Sequence, residues 1–415
     1  MGMTGARSTR FPFGMAVLLG TWGLTRLALL LFVAKVYVFP GPDVTSDVAV
    51  IYHGWYDVLR HGSFPLHDVT WQYPPAASLA ILSPGLLPFL DYPHAFFVLA
   101  FVADLIVFGM LLYAGSRPGR TLRGAWVWMI GVPLLGPTVF ARYDVMVTAV
   151  AVAALLAGSR HPRVMGMLTG FGAMVKVWPV LLLLGAVRRR AWAWAAATAA
   201  GIAALFWTVM PGAFAFLTFQ RDRGTEVESL GSLVFHVARH HGWNGRVLLN
   251  YGSVEFVGPY VDTVSTAALV LTALAFGWLL LWRLCAKRFL SHTMADAAFV
   301  AVLMFTTTSR VISPQYLVWL VGIAAVCLCF RASRMLVPAC LVLVACFVTV
   351  LEFPTWFADV VGSTPLGITL LVLRNGLLVL ATVLAARQLW RGTVSRPAPE
   401  LPAQAARAKE PLASS

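Results

Sequence analysis

The chain has 415 residues, 59% hydrophobic and 12% charged, with a mean hydropathy of +0.79. That composition belongs to a polytopic membrane protein. The formal charge of +14 does not mark a nucleic-acid binder, because the Lys and Arg fall in short clusters between apolar runs, where membrane orientation explains them. Cys285, Cys327, Cys329, Cys340 and Cys346 lie in or at the ends of apolar segments without ligand-like neighbours, so neither disulfides nor a zinc site is indicated.

The first apolar run, about 11–39, is too long for a secretory signal and lacks a small-residue cleavage site, so it reads as a retained first span. The next stretch, Gly41 to Ala76, interrupts the oily sequence with Asp43, Asp47, Asp57, Asp68 and several aromatics, against a single basic residue, Arg60. Within it Val48, Ile51, Tyr52, Trp55, Val58 and Leu59 recur at helical spacing behind an expected N-cap at Ser46, predicting a helix that lies along the membrane surface. Asp47 falls in its first turn, where an acid also complements the helix dipole by about 0.3 to 1 kcal/mol.

Pro74 to Leu90 is near the minimum length for a crossing and is broken by Pro84 and Pro88. Read as a juxtamembrane or re-entrant segment, it leaves 20 of the 31 Lys and Arg on one side, the cytoplasmic one, as the positive-inside tendency wants. The expected spans are then 12–38, 93–114, 122–140, 144–158, 163–176, 178–187, 191–210, 261–284, 294–308, 315–330, 335–352 and 364–386. They predict an all-α protein of about twelve transmembrane helices (10–13) with both ends cytoplasmic. A second outer segment runs from Pro211 to Tyr260. Residues 1–390 form one transmembrane domain, and 391–415, rich in Pro, Ala and charge, a disordered cytoplasmic tail.

This topology gathers Asp43, Asp47, Tyr73, Arg142, Asp144, Lys176, Gln220, Arg221, Arg223, Glu228, Arg310, Gln315 and Tyr316 at the outer ends of the spans. Each has a plainer reading: Arg142 and Asp144 as a surface ion pair of about 0 to 1 kcal/mol, Lys176 as a snorkelling side chain, Pro314 as a helix start. Together they suit a lipid-linked sugar phosphate, with cations holding the phosphate as it leaves and a carboxylate taking a proton from the attacking hydroxyl. Phosphate leaves without a dedicated acid.

At these motifs the chain resembles the GT-C glycosyltransferases, and within them glycosyltransferase family 87, which includes actinobacterial polyprenol-phosphate-mannose-dependent mannosyltransferases. The resemblance rests on Asp47 before the aromatic-bearing helix, the turn at Gly62, Tyr73-Pro74-Pro75, Lys176 to Pro179, FQRDRGTEVES from Phe219, and SPQYLVWL from Ser313. It covers roughly 12–386, and departs from the family where Leu66 and His67, in place of the usual Tyr, follow Pro65.

The resemblance implies inversion at the anomeric carbon and a first-loop aspartate as general base, carried here by Asp47 with Asp43 as substitute. It implies a polyprenyl-phosphate sugar donor, mannose above all, an extracytoplasmic lipid or glycan acceptor, a plasma-membrane location with an outward-facing active site, and no cofactor. Asp222, Glu226 and Glu228 could bind a divalent cation or form a solvated acidic loop; no metal is expected. The competing classes are a transporter or flippase of lipid-linked sugars, which wants polar groups near mid-membrane, and a noncatalytic assembly protein. The mid-membrane charges are Arg26, Asp104 and Arg374, with Asp104 able to neutralise either arginine.

Overall fold

The computed structural model describes residues 13–66, 68–221 and 224–394, with side chains for all of these except Phe13 and 219–221. The backbone of an apolar run in a bilayer must satisfy its own hydrogen bonds, and helices do so locally. They are α1 (Phe13–Val33), α2 (His53–Leu59), α3 (Ala77–Leu82), α4 (Tyr92–Gly115), α5 (Arg123–Leu134), α6 (Asp144–Ala157), α7 (Pro162–Val175), α8 (Arg189–Val209), α9 (Phe216–Arg221), α10 (Leu233–Ala238), α11 (Val261–Cys285), α12 (Thr293–Thr308), α13 (Tyr316–Leu328), α14 (Leu336–Val350), α15 (Phe357–Gly362) and α16 (Pro365–Thr393). Among the described residues six are long and apolar enough to cross a membrane: α1, α4, α8, α11, α14 with its continuation to Thr355, and α16. The chain is an all-α, multi-pass membrane protein.

The shorter apolar helices sit inside. Every residue of α13 from Leu317 to Leu328 is buried, because α5, α6, α12 and α14 pack around it. A helix apolar on all sides needs such a jacket. Helices α7 and α8 approach through Gly166 and Gly170, where an added Cβ would strike the carbonyls of Ala191 and Ala195. Small residues four apart allow that contact where lipid supplies no hydrophobic drive.

Two arginines inside the bundle are fully paired. Arg26 meets Asp104 at 3.0 Å, both at most 1% exposed, and also donates to the carbonyls of Met129 and Trp128. Arg374 meets Glu352 at 2.5 Å, both 0% exposed. Asp104, which also accepts from the Trp22 indole at 3.1 Å, therefore serves Arg26 and not Arg374, whose partner is a carboxyl on the continuation of α14.

Several local expectations change. The helix expected in the first loop exists, opening as a π-helical turn at Asp47–Tyr52 that runs into α2, but Ser46 is itself helical and makes no cap; its hydroxyl donates to the Asp43 carbonyl. The 178–187 segment is a 3-10 helix, Trp178–Gly185, with Pro179 in its first turn, where a missing amide costs nothing. Pro74 to Leu90 contains only ten helical residues, Ala77–Leu86, about 15 Å of rise, too short to cross. The outer segment also carries a small sheet: β1 (Thr225–Glu226), β2 (Arg246–Asn250) and β3 (Ser253–Val257), antiparallel in the order β1-β3-β2.

The basic connections meet at one end of the bundle, where Arg120 bridges Phe330 and the amides of Lys287 and Arg288 donate to the Thr393 carbonyl. The first loop, the end of α7, the start of α13 and the sheet gather at the other end, around a cavity of about 820 Å³.

Candidate functional site

The cavity is built first from the loop after α1. Asp43 closes a tight turn, accepting from the Thr45 amide at 2.9 Å and hydroxyl at 2.6 Å, and pairs with Lys35 at 2.8 Å. Gly41 before it has φ +97° and lies so close to the Pro354 carbonyl that a Cβ could not be added. Partial burial pushes the Asp43 carboxyl up, but its bonds to Lys35 and Thr45 win and hold it below the usual range. Both Asp43 oxygens are thus engaged within the turn and its basicity is lowered.

Asp47 differs. Its Oδ2 takes a 2.6 Å ion pair from Arg142, and its side chain remains 34% exposed on the cavity wall. Its Oδ1 has no protein partner among the described residues. Arg142, 8% exposed, is fixed by the Val44 and Ala141 carbonyls at 3.1 and 2.8 Å. One carboxylate oxygen is thereby oriented and the other is presented to the cavity.

Opposite, Lys176 ends α7 in extended conformation, which turns its side chain back under the cavity. Its ammonium pairs with Asp144 at 2.6 Å and lies 5.0 to 5.6 Å from the ring centroids of Tyr73, Tyr143, Tyr316 and Trp319. Each face adds about 0.5 to 2 kcal/mol to holding the cation. The indole of Trp319 donates to the same Asp144 oxygen at 2.7 Å and stacks on Tyr316 and Trp178. Asp144, 1% exposed, stands behind the wall rather than on it. The ARYD motif thus forms no pair of its own: Arg142 goes to Asp47, and Asp144 to Lys176.

The third wall comes from the outer segment and the loop before α13. Glu226 accepts from the Ile312 amide at 2.6 Å and the Ser313 hydroxyl at 3.0 Å, and its own amide donates to the Arg310 carbonyl. Strand β1 thereby sets the loop that carries Arg310. The Glu228 carbonyl accepts from Arg374 at 2.7 Å. Its side chain is 5% exposed, with one oxygen lacking a partner. Burial, then the neighbouring Glu226 and Glu352, push its carboxyl well above the ordinary range. His236 holds this segment from behind, its ring between the Val227 carbonyl and the Ser363 hydroxyl. Burial lowers its pKa to about 4, so it is neutral.

Of the residues the sequence picks out, Asp43, Asp47, Tyr73, Arg142, Lys176, Glu228, Arg310, Gln315 and Tyr316 line this one cavity. The side chains of Gln220 and Arg221, and the whole of Arg223 and Asp222, lie outside the described residues. Among the described residues no three His, Cys, Asp or Glu side chains converge as metal ligands. Sequence reasoning passed over Trp319, although its i,i+3 spacing from Tyr316 puts both rings on one helix face. It also passed over the use of Glu226 as a clamp. The far wall is apolar, with Leu269, Phe305, Phe353 and Phe357.

A sequence model of glycosyltransferase family 87 matches residues 71–314. Among solved structures the chain is similar to ArnT from Cupriavidus metallidurans, whose structure was determined bound to undecaprenyl phosphate. The TM-score is 0.45 at 12% identity, over 93% of this chain and 79% of that one, a likeness too distant to bear on the reaction. No curated protein sequence matches the chain.

Proposed function

The chain belongs to glycosyltransferase family 87, and we propose that it transfers a hexose, mannose, from a polyprenyl-phosphate sugar to an extracytoplasmic lipid or glycan acceptor with inversion. The observation that carries this reading is that the presented oxygen of Asp47 shares one cavity with Lys176, Arg142 and Arg310. At about 820 Å³ the cavity falls in the ordinary range for a small-molecule site. Its apolar wall suits the first isoprene units of a lipid carrier.

In the proposed step the acceptor hydroxyl oxygen forms a bond to the anomeric carbon while the bond from that carbon to the phosphate oxygen breaks. The hydroxyl proton passes to Asp47, and the electron pair leaves on the phosphate. Lys176 and Arg310 stabilise the charge that develops there. Arg142 is a positioning residue that aims Asp47. The face is assigned from charge: the basic loops gather at the end away from the cavity, so the cavity opens outside.

A transporter reading wants unpaired polar groups along a central path, and Arg26 and Arg374 are instead paired and buried. Purified protein incubated with radiolabelled polyprenyl-phosphate mannose and a membrane lipid extract tests the proposal. A labelled product that forms with wild type and fails with Asp47→Asn supports it; no transfer to any extract component counts against it.

A further inference from the structure

At the opposite end of the bundle a second crevice of about 520 Å³ opens between α11 and α16, with α12 as its floor. Arg387 and Arg391, one helical turn apart on α16, stand at its mouth beside Trp278 and Trp390, whose rings lie 5.9 Å apart. Both arginines are exposed, and neither makes an ion pair or hydrogen bond among the described residues. Nearby, the buried indole of Trp282 on α11 donates to the Thr393 hydroxyl on α16 at 2.9 Å, tying the two helices together.

The crevice is cationic at the Arg387 and Arg391 end and mainly apolar beyond it, reaching Met304 and Thr382. From Arg391 to Thr382 is nine residues of helix, about 14 Å, close to half of a hydrocarbon core of about 30 Å. Its depth is therefore that of one leaflet. Tryptophan rings at the level of the head groups and paired guanidinium groups between helices are the chemistry that holds a lipid phosphate.

We propose that this crevice binds one anionic diacyl phospholipid of the leaflet opposite the cavity, with its phosphate between Arg387 and Arg391 and an acyl chain along α12. A polyprenyl carrier is the other lipid phosphate available, but its chain is longer than a one-leaflet crevice accommodates. The site is separate from the sugar-transfer cavity and does not rest on the proposed reaction.

Native mass spectrometry of the full chain in detergent tests this, with phosphatidylglycerol and phosphatidylcholine of identical chains. Wild type should retain phosphatidylglycerol preferentially. At about 1 kcal/mol per basic residue, the Arg387→Gln, Arg391→Gln double variant should bind it roughly 30-fold more weakly, while the Arg387→Lys, Arg391→Lys variant keeps most of the affinity. As a control for general surface charge, Arg160→Gln with Arg163→Gln should leave binding unchanged, and melting temperatures in phosphatidylcholine should match throughout. Equal binding of the two lipids, equal loss in the control pair, undiminished binding by the Gln double variant, or one-for-one displacement by polyprenyl phosphate would each overturn the assignment.

Discussion

Replacing Asp47 by Asn leaves a side chain of nearly the same size beside Arg142, so the substitution separates a base from a structural acid. The guanidinium keeps its acceptors at Val44 and Ala141, and the lost ion pair involves a carboxylate one third exposed. Because Arg142 is buried, screening does not remove the loss, but the Asn carbonyl oxygen can still accept from the guanidinium, which holds it to about 1 kcal/mol, a melting shift of a few degrees. Turnover is a different matter. An amide cannot take the hydroxyl proton, and removing a general base costs about two to four orders of magnitude. The assay is single-turnover transfer from labelled polyprenyl-phosphate mannose at saturating donor, with donor affinity and thermal unfolding measured on the same preparations. Expected are a collapsed rate, unchanged donor affinity and a nearly unchanged melting temperature; Asp43→Asn should retain most activity. Transfer by Asp47→Asn within about threefold of wild type, in folded protein, would refute the assignment of the base.

Lys176→Met or Arg310→Gln should each weaken donor binding by about one to two orders of magnitude, since a charge-assisted contact contributes roughly 1.5 to 3 kcal/mol; a variant with unchanged donor Kd takes that residue out of the phosphate site. Asp144→Asn strands the Lys176 ammonium in its buried cage and should cost about 3 to 5 kcal/mol, while the Asp144→Asn, Lys176→Met double variant unfolds at a higher temperature than Asp144→Asn alone; equal melting would deny the coupling. In the Glu228 carboxyl, faced by Glu226, Glu352 and Arg374, the folded pKa lies above the unfolded one. The folded state then binds more protons, and stability falls as pH rises from the ordinary carboxylate range toward that raised pKa. Glu228→Gln should flatten this decline in melting temperature as pH rises above the ordinary carboxylate range, and an unaltered slope would show that the decline arises elsewhere. With Cys285 and Cys340 replaced by Ser, a cysteine at His241 should react with an impermeant thiol reagent in intact cells and one at Ser116 should not; the reverse pattern overturns the sidedness of the cavity.

The broad fold was legible because a bilayer imposes its demands on composition: long apolar runs became helices, and the proline-broken stretch after Tyr73 stayed short. The site was legible as a set of residues, because polar groups at span ends have few places to go. Their pairing was not. Arg142 and Asp144 sit two apart and invite a local pair, yet α6 points Asp144 inward to Lys176 while the preceding turn sends Arg142 to Asp47. Glu352 and Arg374 lie on different helices, 22 residues apart, and only the packing of α14 against α16 brings them together. The hairpin of β2 and β3 did leave a signal, an Asn-Tyr-Gly-Ser turn between β-branched and aromatic residues, with positive φ at Tyr251 and Gly252.

Arg374 carries a consequence for biosynthesis. Its guanidinium joins α16 to Glu352, to the Glu228 carbonyl and to the Ile312 carbonyl, so α16 supplies a cation that parts of the chain made before it await. A chain released before Pro365 would hold Glu352 and the Glu228 loop without it, and the outer segment would lack the tie that seats it over the cavity. We expect such a truncated chain to insert its earlier helices yet be cut rapidly in the 211–260 segment by added protease, whereas the full-length protein resists. Equal resistance would mean that the segment seats itself without α16.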